Sequence, residues 1–372
     1  MSAEEFSFSD HSHRRFNPLT DSWVLCSPHR AKRPWLGQVE EASADERPKY
    51  DPKCYLCPGN KRATGAQTDN YTSTYVFPND YAAVHAVQPD CSTNDIEQVA
   101  GKNASSELFR VHSTRGQCLV VCFSPRHDLT LPELSLDEIC KVVGAWKSIY
   151  TKLSEDPNIG YVQLFENKGA MMGCSNPHPH GQVWALSEVP SEPAKEIASL
   201  KKFNQKHASE SPDACLLCSY VKAEESNAAA SESTNRVVVQ NESFMAIVPF
   251  WAVWPFETMI VAKSHLSNID QLSDQQTRHL AEIMQGLTCR YDNLFQCSFP
   301  YSMGLHQSPT ANHPDARCCH LHLHFYPPLL RSSTVRKFLV GFEMMAEPQR
   351  DLTAEQAAAR LRALSSVHYK HK

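Results

Sequence analysis

Two histidines and a glutamine in one short segment have the types and the spacing needed for chemistry on phosphorus. His178 and His180 flank a proline in GCSNPHPHGQVWA, and Gln182 follows. The proline favours an extended backbone, which would put all three side chains on one side. Two imidazoles can bind one metal ion, or divide into a ligand and a nucleophile, while the amide can donate an N–H to an oxyanion. We therefore predict attack of an imidazole on phosphorus; the alternative is a pair of half-buried strand histidines.

Two Cys-x-x-Cys pairs and a histidine-rich segment are further candidates for metal binding. The pairs are Cys54 with Cys57 and Cys215 with Cys218, and the segment is CCHLHLHFYPP. Short thiol pairs also occur as ordinary buried residues, so a pair indicates a metal strongly only when other ligands join it. For Cys215 and Cys218 two interpretations stay open: plain buried or surface thiols, or a metal or redox pair.

Composition and charge argue against several classes of protein. The chain has 372 residues, 41% of them apolar, with a formal net charge of −5 and a pI near 6.4. This balance argues against general nucleic-acid or anionic-membrane binding, which favours a basic surface. The sequence shows neither a secretory signal nor an apolar run of about 18 residues that could span a membrane. Fourteen cysteines without an export signal indicate reduced thiols, so we expect a cytoplasmic protein.

Hydrophobic periodicity predicts strands and helices in a similar order in both halves of the chain. The segments STYVFPND, QCLVVCFSP, YVQLFENKG and SFMAIVPFWAVWPFETMIVAKSH are predicted as strands. Helices are expected after Ser135, Ser273 and Thr353, and the first two open with a capping box. The polar stretch at 222–235 is predicted as an exposed loop.

Repeated offsets indicate two copies of a strand–helix–strand unit, each ending in a His-x-His strand. The matching pairs are His127 with His265 and Ser135 with Ser273, 138 residues apart, and His178 with His322 and His180 with His324, 144 residues apart. We predict an α+β fold with a mostly antiparallel sheet, flanked by helices, and the nucleophile on a central strand. The alternative is coincidence between two α+β segments.

Several long motifs resemble those of the galactose-1-phosphate uridylyltransferase family, a branch of the histidine-triad superfamily. They are SPHRAKRPW, FENKGA, GCSNPHPHGQVWA, YDNLFQCSFPYSMG and HFYPPLLRS, and the similarity runs from about residue 14 to the C-terminus. The resemblance implies a duplicated histidine-triad-like fold. We expect a flexible arm at 1–20, a half with the nucleophile at 21–200, and a half with a second metal site and a hexose-binding segment at 201–372.

The same resemblance implies a reaction. UDP-glucose and galactose 1-phosphate would give glucose 1-phosphate and UDP-galactose in a ping-pong mechanism through a uridylyl-His180 intermediate, with Gln182 hydrogen-bonded to a phosphate oxygen. Hydrolases of the superfamily carry a histidine in place of this glutamine. Since an amide cannot shuttle a proton, we expect slow attack by water. The alternatives are a nucleotide-sugar or dinucleotide phosphorylase using the same covalent step, and a metal-bound binding protein without turnover.

Two structural metal sites follow from the resemblance. The zinc ligands would be Cys54, Cys57, His127 and His178. The ligands for iron, or for a second zinc, would be Glu196, His306, His322 and His324. His320, Cys318 and Cys319 do not fit the family pattern, and His320 would share a strand face with the two histidines that follow it.

The resemblance also assigns substrate contacts. Arg30 and Arg33 would bind phosphate, which guanidinium groups hold in pairs. The uridine and ribose site would include Ala63, Asn79 and Asp80, and the phosphate and sugar contacts would be Asn167, Gly173, Cys174, Ser175 and Gln182. A hexose-binding segment from the neighbouring subunit of a homodimer would supply Lys337, Val340, Phe342, Glu343 and Gln349. Phe342 stands where some relatives have tyrosine, which removes a hydroxyl contact.

Overall fold

The fold is described from a computed structural model that covers residues 5–32, 47–101, 107–310 and 313–371. The strands are β1 (His13–Asn17), β2 (Ser22–Cys26), β3 (Tyr75–Pro78), β4 (Gly116–Cys122), β5 (Tyr161–Lys168), β6 (His180–Leu186), β7 (Val237–Gln240), β8 (Phe244–Ile247), β9 (Thr258–Ala262), β10 (Tyr301–His306), β11 (His322–Tyr326) and β12 (Gln349–Arg350). The helices are α1 (Thr93–Ala100), α2 (Leu136–Ser154), α3 (Ser191–His207), α4 (Leu216–Ala230), α5 (Asp274–Phe295), α6 (Phe342–Met345) and α7 (Ala354–Arg362). Among these helices, none is long and apolar enough to cross a membrane.

Nine strands form one antiparallel sheet in the order β3-β4-β6-β5-β10-β11-β9-β8-β7. Strands β5 and β10 pair at its middle, where Phe165 lies opposite Gly304. Outward from this pair the order is β6, β4, β3 on one side and β11, β9, β8 on the other. The two halves of the sheet are thus related by an approximate two-fold axis. The α+β fold, the duplication and an interior position for the strand of His180 are confirmed.

The predicted offset between the His-x-His pairs is wrong by two residues. Strand β6 begins at His180 and β11 at His322, and each of these histidines places Nδ1 2.7 Å from the carbonyl oxygen two residues before it. The counterparts are therefore His180 with His322 and His178 with His320, both 142 residues apart. The three evenly spaced histidines after Cys319 allow either register in the sequence, and only the strand pairing selects one.

Helices α2 and α5 occupy equivalent places in the two halves and pack against each other. Each begins with a capping box, Ser135 with Glu138 and Ser273 with Gln276, as predicted. Their apolar faces enter the main hydrophobic core, which includes the buried Trp146, 1% exposed. Helix α7 is capped by Thr353, also as predicted.

Two segments near the surface differ from their sequence-based description. Part of the polar stretch predicted as a loop continues α4 to Ala230, so that prediction is wrong; its alanines and glutamates are good helix formers. Within the predicted N-terminal arm, β1 forms a small sheet with β2 and β12, and Arg15 is buried against Glu355 at 2.9 Å. The limits of the arm and of the two halves stay predictions.

Candidate active site and metal clusters

A cleft of about 530 Å³ opens beside the start of β6. His180 lines it, together with Asn167 of β5 and with Cys174 and Ser175 of the loop that leads to the two histidines. His178 also lines it, so the cleft brings together five of the residues predicted from sequence. Among the other residues of the lining, which the sequence analysis did not select, are Arg47, Glu166, Lys168 and Thr130. Glu166 and Lys168 flank Asn167 in the sequence, and this position beside a predicted residue was the signal that could have identified them.

His180 is oriented by the backbone of its own strand. Its Nδ1 lies 2.7 Å from the carbonyl oxygen of His178, so this nitrogen carries the proton and Nε2 keeps its lone pair. Burial lowers the pKa of His180 and so favours the neutral ring. A neutral imidazole with an available Nε2 is the form that can attack an electrophile.

Gln182 shares a strand face with His180, as predicted, because half-buried and fully buried positions alternate along β6. Its Oε1 accepts hydrogen bonds from Nδ2 of Asn79 at 3.3 Å and from Nε1 of Trp184 at 3.1 Å. These two donors fix the amide oxygen, which leaves the amide NH2 as the group that can donate to a ligand. Between the two functional residues, a side chain at Gly181 would lie 2.9 Å from Phe123 and from the carbonyl of Phe165.

A second group of predicted residues lies around Asn79, at the end of β3. Asp80 accepts a hydrogen bond from Thr64 at 3.2 Å and lies 3.7 Å from the guanidinium of Arg62. Arg62 stacks over the ring of Phe77 at 4.5 Å. Ala63 is exposed between these two contact residues. This group meets the first one through the Asn79–Gln182 hydrogen bond.

The predicted hexose-binding segment forms a third group. Nζ of Lys337 lies 2.5 Å from the carboxylate of Glu343 and 3.4 Å from the amide oxygen of Gln349. Gln349 donates to Asp351 at 2.6 Å, and Arg30 lies 3.3 Å from the same carboxylate. Val340 and Phe342 are exposed, with 56% and 50% of their surface accessible. Gly173 ends a short turn with a positive φ of 77°, and Arg33 lies outside the described residues.

Among the described residues, members of the third group do not line the cleft beside His180. Arg30, Phe342, Glu343 and Gln349 instead surround a separate shallow pocket. Within one chain, the predicted substrate-contact residues thus lie in two places: the first two groups meet near His180 and Gln182, and the third surrounds the separate pocket.

Comparison with known proteins decides the family. Models of the galactose-1-phosphate uridyl transferase N-terminal and C-terminal domains match residues 4–190 and 196–372. The chain belongs to the galactose-1-phosphate uridylyltransferase family. It is 53% identical to the galactose-1-phosphate uridylyltransferase of Saccharomyces cerevisiae, over 99% of each chain. It is 50% identical to that of Haemophilus influenzae, over 99% of this chain and 98% of the relative.

Solved structures agree with the fold of the family. A uridylyltransferase superposes with a TM-score of 0.70 at 29% identity, covering 95% of this chain and 98% of that one. An ADP-glucose phosphorylase from Arabidopsis thaliana with bound ADP-glucose superposes with a TM-score of 0.71 at 24% identity, covering 96% and 99%. At this lower identity the likeness shows a shared fold.

The first set of predicted metal ligands in this uridylyltransferase-family chain forms a buried cluster. Nδ1 of His127 and Nδ1 of His178 each lie 3.6 Å from the sulfur of Cys57, and one ligand atom from each of these residues and Cys54 lies within 4.8 Å of the others. Nε2 of His178 is 2.9 Å from the carbonyl oxygen of Ser124. Burial lowers the pKa of His178 to about 3, so its ring is neutral. The donor set fits a tetrahedral zinc ion.

The second predicted set also assembles, around the carboxylate of Glu196. Nδ1 of His306 lies 2.7 Å from it, and Nε2 of His322 and of His324 lie 3.3 and 3.4 Å away. Burial would raise the pKa of Glu196, but the three histidines bring it well below its usual value. Within the described residues, both buried Nε2 atoms lack a hydrogen-bond partner of good geometry. Such nitrogens facing a carboxylate fit a bound metal ion.

A third cluster was left open by the sequence analysis and is assembled only in the folded chain. It consists of Cys215, Cys218, His265 and His320, with one ligand atom from each within 4.8 Å of the others. His320, which did not fit the family pattern, thus lies with the second Cys-x-x-Cys pair. The sequence did carry a signal for it: the second half repeats the residue types of the first ligand set, with a Cys-x-x-Cys pair followed by two histidines.

Proposed function

We propose that this chain transfers the uridylyl group of UDP-glucose to galactose 1-phosphate, releasing glucose 1-phosphate and forming UDP-galactose. The proposal rests on one observation: His180 presents an imidazole whose Nδ1 is held by a backbone carbonyl, beside an amide whose oxygen is already fixed. Membership of the family supports the choice of substrates. The relatives at 53% and 50% identity are named for this activity.

In the first half-reaction, Nε2 of neutral His180 attacks the α-phosphorus of UDP-glucose. The bond between this phosphorus and the bridging oxygen breaks, and glucose 1-phosphate leaves with the electron pair. The ring becomes positively charged as the N–P bond forms, and the carbonyl of His178 stabilises the Nδ1 proton during this change. A phosphate oxygen of galactose 1-phosphate then attacks the same phosphorus, and the imidazole leaves as the neutral ring.

Gln182 is proposed to bind a non-bridging oxygen of the transferred phosphoryl group. Because Asn79 and Trp184 both donate to Oε1, the amide NH2 is left to donate to negative charge that grows in the transition state. The amide cannot act as a general base at neutral pH. Water would therefore find no base at this position, which favours transfer over hydrolysis.

The other contacts follow the groups seen in the structure. Asn167, Gly173, Cys174 and Ser175 are proposed to contact the phosphates and sugar, Ala63, Asn79 and Asp80 the uridine and ribose, and Arg30 and Arg33 the phosphates. Lys337, Val340, Phe342, Glu343 and Gln349 are proposed to contact the hexose of the neighbouring subunit. This arrangement is consistent with their separation from the cleft in one chain. We therefore propose a homodimer. From composition and charge we also propose a cytoplasmic location without nucleic-acid or membrane partners.

The first two clusters are proposed to be structural metal sites, the first for zinc and the second for iron or zinc. Four protein ligands would leave no open coordination position on a tetrahedral zinc ion. The first would fix the loop of Cys54 and Cys57 against His178, whose carbonyl oxygen orients His180. The second would join α3 to β10 and β11. When bound, these ions supply rigidity, and the chain's own side chains carry the transfer.

A labelling experiment tests the proposal. Protein is mixed with UDP-glucose labelled at the α-phosphate, quenched in alkali and examined for acid-labile label on the chain. We expect label that galactose 1-phosphate removes as UDP-galactose, and no label on His180→Asn. A matched control is His85→Asn, since His85 is exposed outside the cleft. Label that inorganic phosphate removes, but galactose 1-phosphate does not, would identify a phosphorylase instead.

A further inference from the structure

We propose that the third cluster, Cys215, Cys218, His265 and His320, is a zinc site of its own, which gives each chain three metal ions. Cys215 immediately precedes α4 and Cys218 lies in its first turn. His265 is in the loop after β9, and His320 lies two residues before β11. These are distant parts of the sequence. A shared ligand is the chemistry that accounts for their convergence.

The distances match tetrahedral coordination. Nδ1 of His320 lies 3.3 Å from the sulfur of Cys215 and 3.4 Å from that of Cys218. Nδ1 of His265 lies 3.8 Å from the sulfur of Cys218. Around a tetrahedral zinc ion with usual bond lengths, a sulfur and a nitrogen are about 3.5 Å apart. The four ligand atoms thus surround a position at which an ion would reach all of them.

Both histidines are oriented as metal ligands. Nε2 of His320 lies 2.8 Å from the carbonyl oxygen of Ala262, and Nε2 of His265 lies 3.1 Å from that of Arg317. A hydrogen bond from Nε2 to a carbonyl places the proton there and turns the Nδ1 lone pair towards the thiols. In metal-bound histidines, the ring nitrogen that does not bind the metal usually donates to such an oxygen.

The approximate two-fold axis of the sheet relates this cluster to the first one. In both, a Cys-x-x-Cys pair meets a histidine that follows one strand (β4 or β9) and a histidine two residues before the strand beside it in the sheet (β6 or β11). The imidazole pairs have similar spacing: ring centroids are 5.5 Å apart for His127 and His178, and 5.4 Å for His265 and His320, although the rings are inclined by 58° and 81°. The same ligand types in the same strand positions imply the same ion.

The two related clusters differ in exposure. All four ligands of the first are buried, whereas Cys218 is half-buried and His265 is exposed in the third. A chelator can therefore approach the third site while the first stays covered. We expect one zinc ion per chain to be removed much faster than the others.

Metal analysis of the full-length protein tests the proposal. Zinc and iron per chain are measured by inductively coupled plasma mass spectrometry for the wild type, Cys218→Ser and His265→Gln. Each variant should lose one zinc per chain and keep its remaining metals. The exposed His265 can be changed with little risk to folding, so a loss in that variant is not a consequence of unfolding. Cys140→Ser is the matched control, because Cys140 is also a half-buried helical thiol but has no place in a cluster.

Two results would overturn the inference. One is an unchanged zinc content in both variants. The other is a disulfide between Cys215 and Cys218 in the freshly purified protein, found by mass spectrometry after alkylation without reduction, because oxidised sulfurs cannot bind the ion as thiolates. Neither readout uses uridylyl transfer, so failure here is distinct from failure of the proposed reaction.

Discussion

The carbonyl oxygen of His178 lies 2.7 Å from Nδ1 of His180, while the ring of His178 belongs to the first Cys/His cluster. The proposed nucleophile is therefore oriented by a residue whose own position is fixed by two cysteines and a second histidine. In the other half, His320 and His322 repeat this contact at 2.7 Å. There, however, His322 faces Glu196 at 3.3 Å and is a candidate metal ligand. At this equivalent strand position, one half thus carries the proposed nucleophile and the other a candidate metal ligand.

Gln182→His should raise the hydrolysis of UDP-glucose relative to transfer. A histidine at this position can take a proton from water, which the amide cannot. The measurement is the ratio of glucose 1-phosphate released without acceptor to UDP-galactose formed with it. Trp184→Phe is the control, because it removes one donor to Gln182 but adds no base. An equal ratio in the wild type and Gln182→His would contradict the proposed role of the amide.

Phe342→Tyr should improve binding of the hexose phosphate. The added hydroxyl restores one hydrogen bond of about 1 kcal/mol, which lowers KM for galactose 1-phosphate by about 5-fold at constant kcat. Steady-state kinetics with varied galactose 1-phosphate measure it. Phe338→Tyr, in the same segment and 61% exposed, should leave KM unchanged. The assignment of the segment to hexose binding fails if the two variants behave alike.

Asp292→Ala should destabilise the protein strongly. Its carboxylate lies 2.8 Å from Nζ of Lys168 and 3.1 Å from Nε2 of His368, all of them buried. Removing it leaves the lysine charge buried without its partner, at a cost of about 3–5 kcal/mol. The shift in the urea unfolding midpoint reports this loss. Asp137→Ala breaks a pair with Arg278 that is mostly exposed, so it should cost less than about 1 kcal/mol.

Glu355→Gln should reduce stability at neutral pH and have little effect in acid. Burial opposes ionisation, but Arg15 and Arg236 lower the pKa of Glu355 from 4.5 to about 2. Because the folded-state pKa is depressed, the carboxylate stabilises the fold above pH 4.5, and this contribution of about 3 kcal/mol disappears as pH falls towards 2.

The measurement is the difference in unfolding midpoint between the wild type and Glu355→Gln at several values of pH. The difference should be largest near pH 7 and shrink below pH 4.5. Glu192→Gln is the control, since Glu192 is 65% exposed in its pair with Lys195. A difference for Glu355→Gln that stays constant through the acid range would contradict the pKa assignment.

The local structure was largely predictable from sequence. Helices α2 and α5 begin where Ser135 and Ser273 open capping boxes, because a cap and an apolar face are properties of neighbouring residues. The alternation in β6 likewise placed His180 and Gln182 on one face. Helix α4 was missed because its polar residues and alanines gave no clear period, although its alanines and glutamates are good helix formers.

The α+β class and the duplication followed from the sequence itself, and its resemblance to the family implied the residues around His180 and the first two ligand sets that the fold brings together. Only the tertiary structure decided the register of the repeat and the partners of Cys215 and Cys218. The register depends on which residues of β9 and β11 pair across the sheet. The third cluster depends on bringing His265 and His320 to a helix start about 50 and 100 residues earlier. Such contacts join residues far apart in the chain, and local spacing does not encode them.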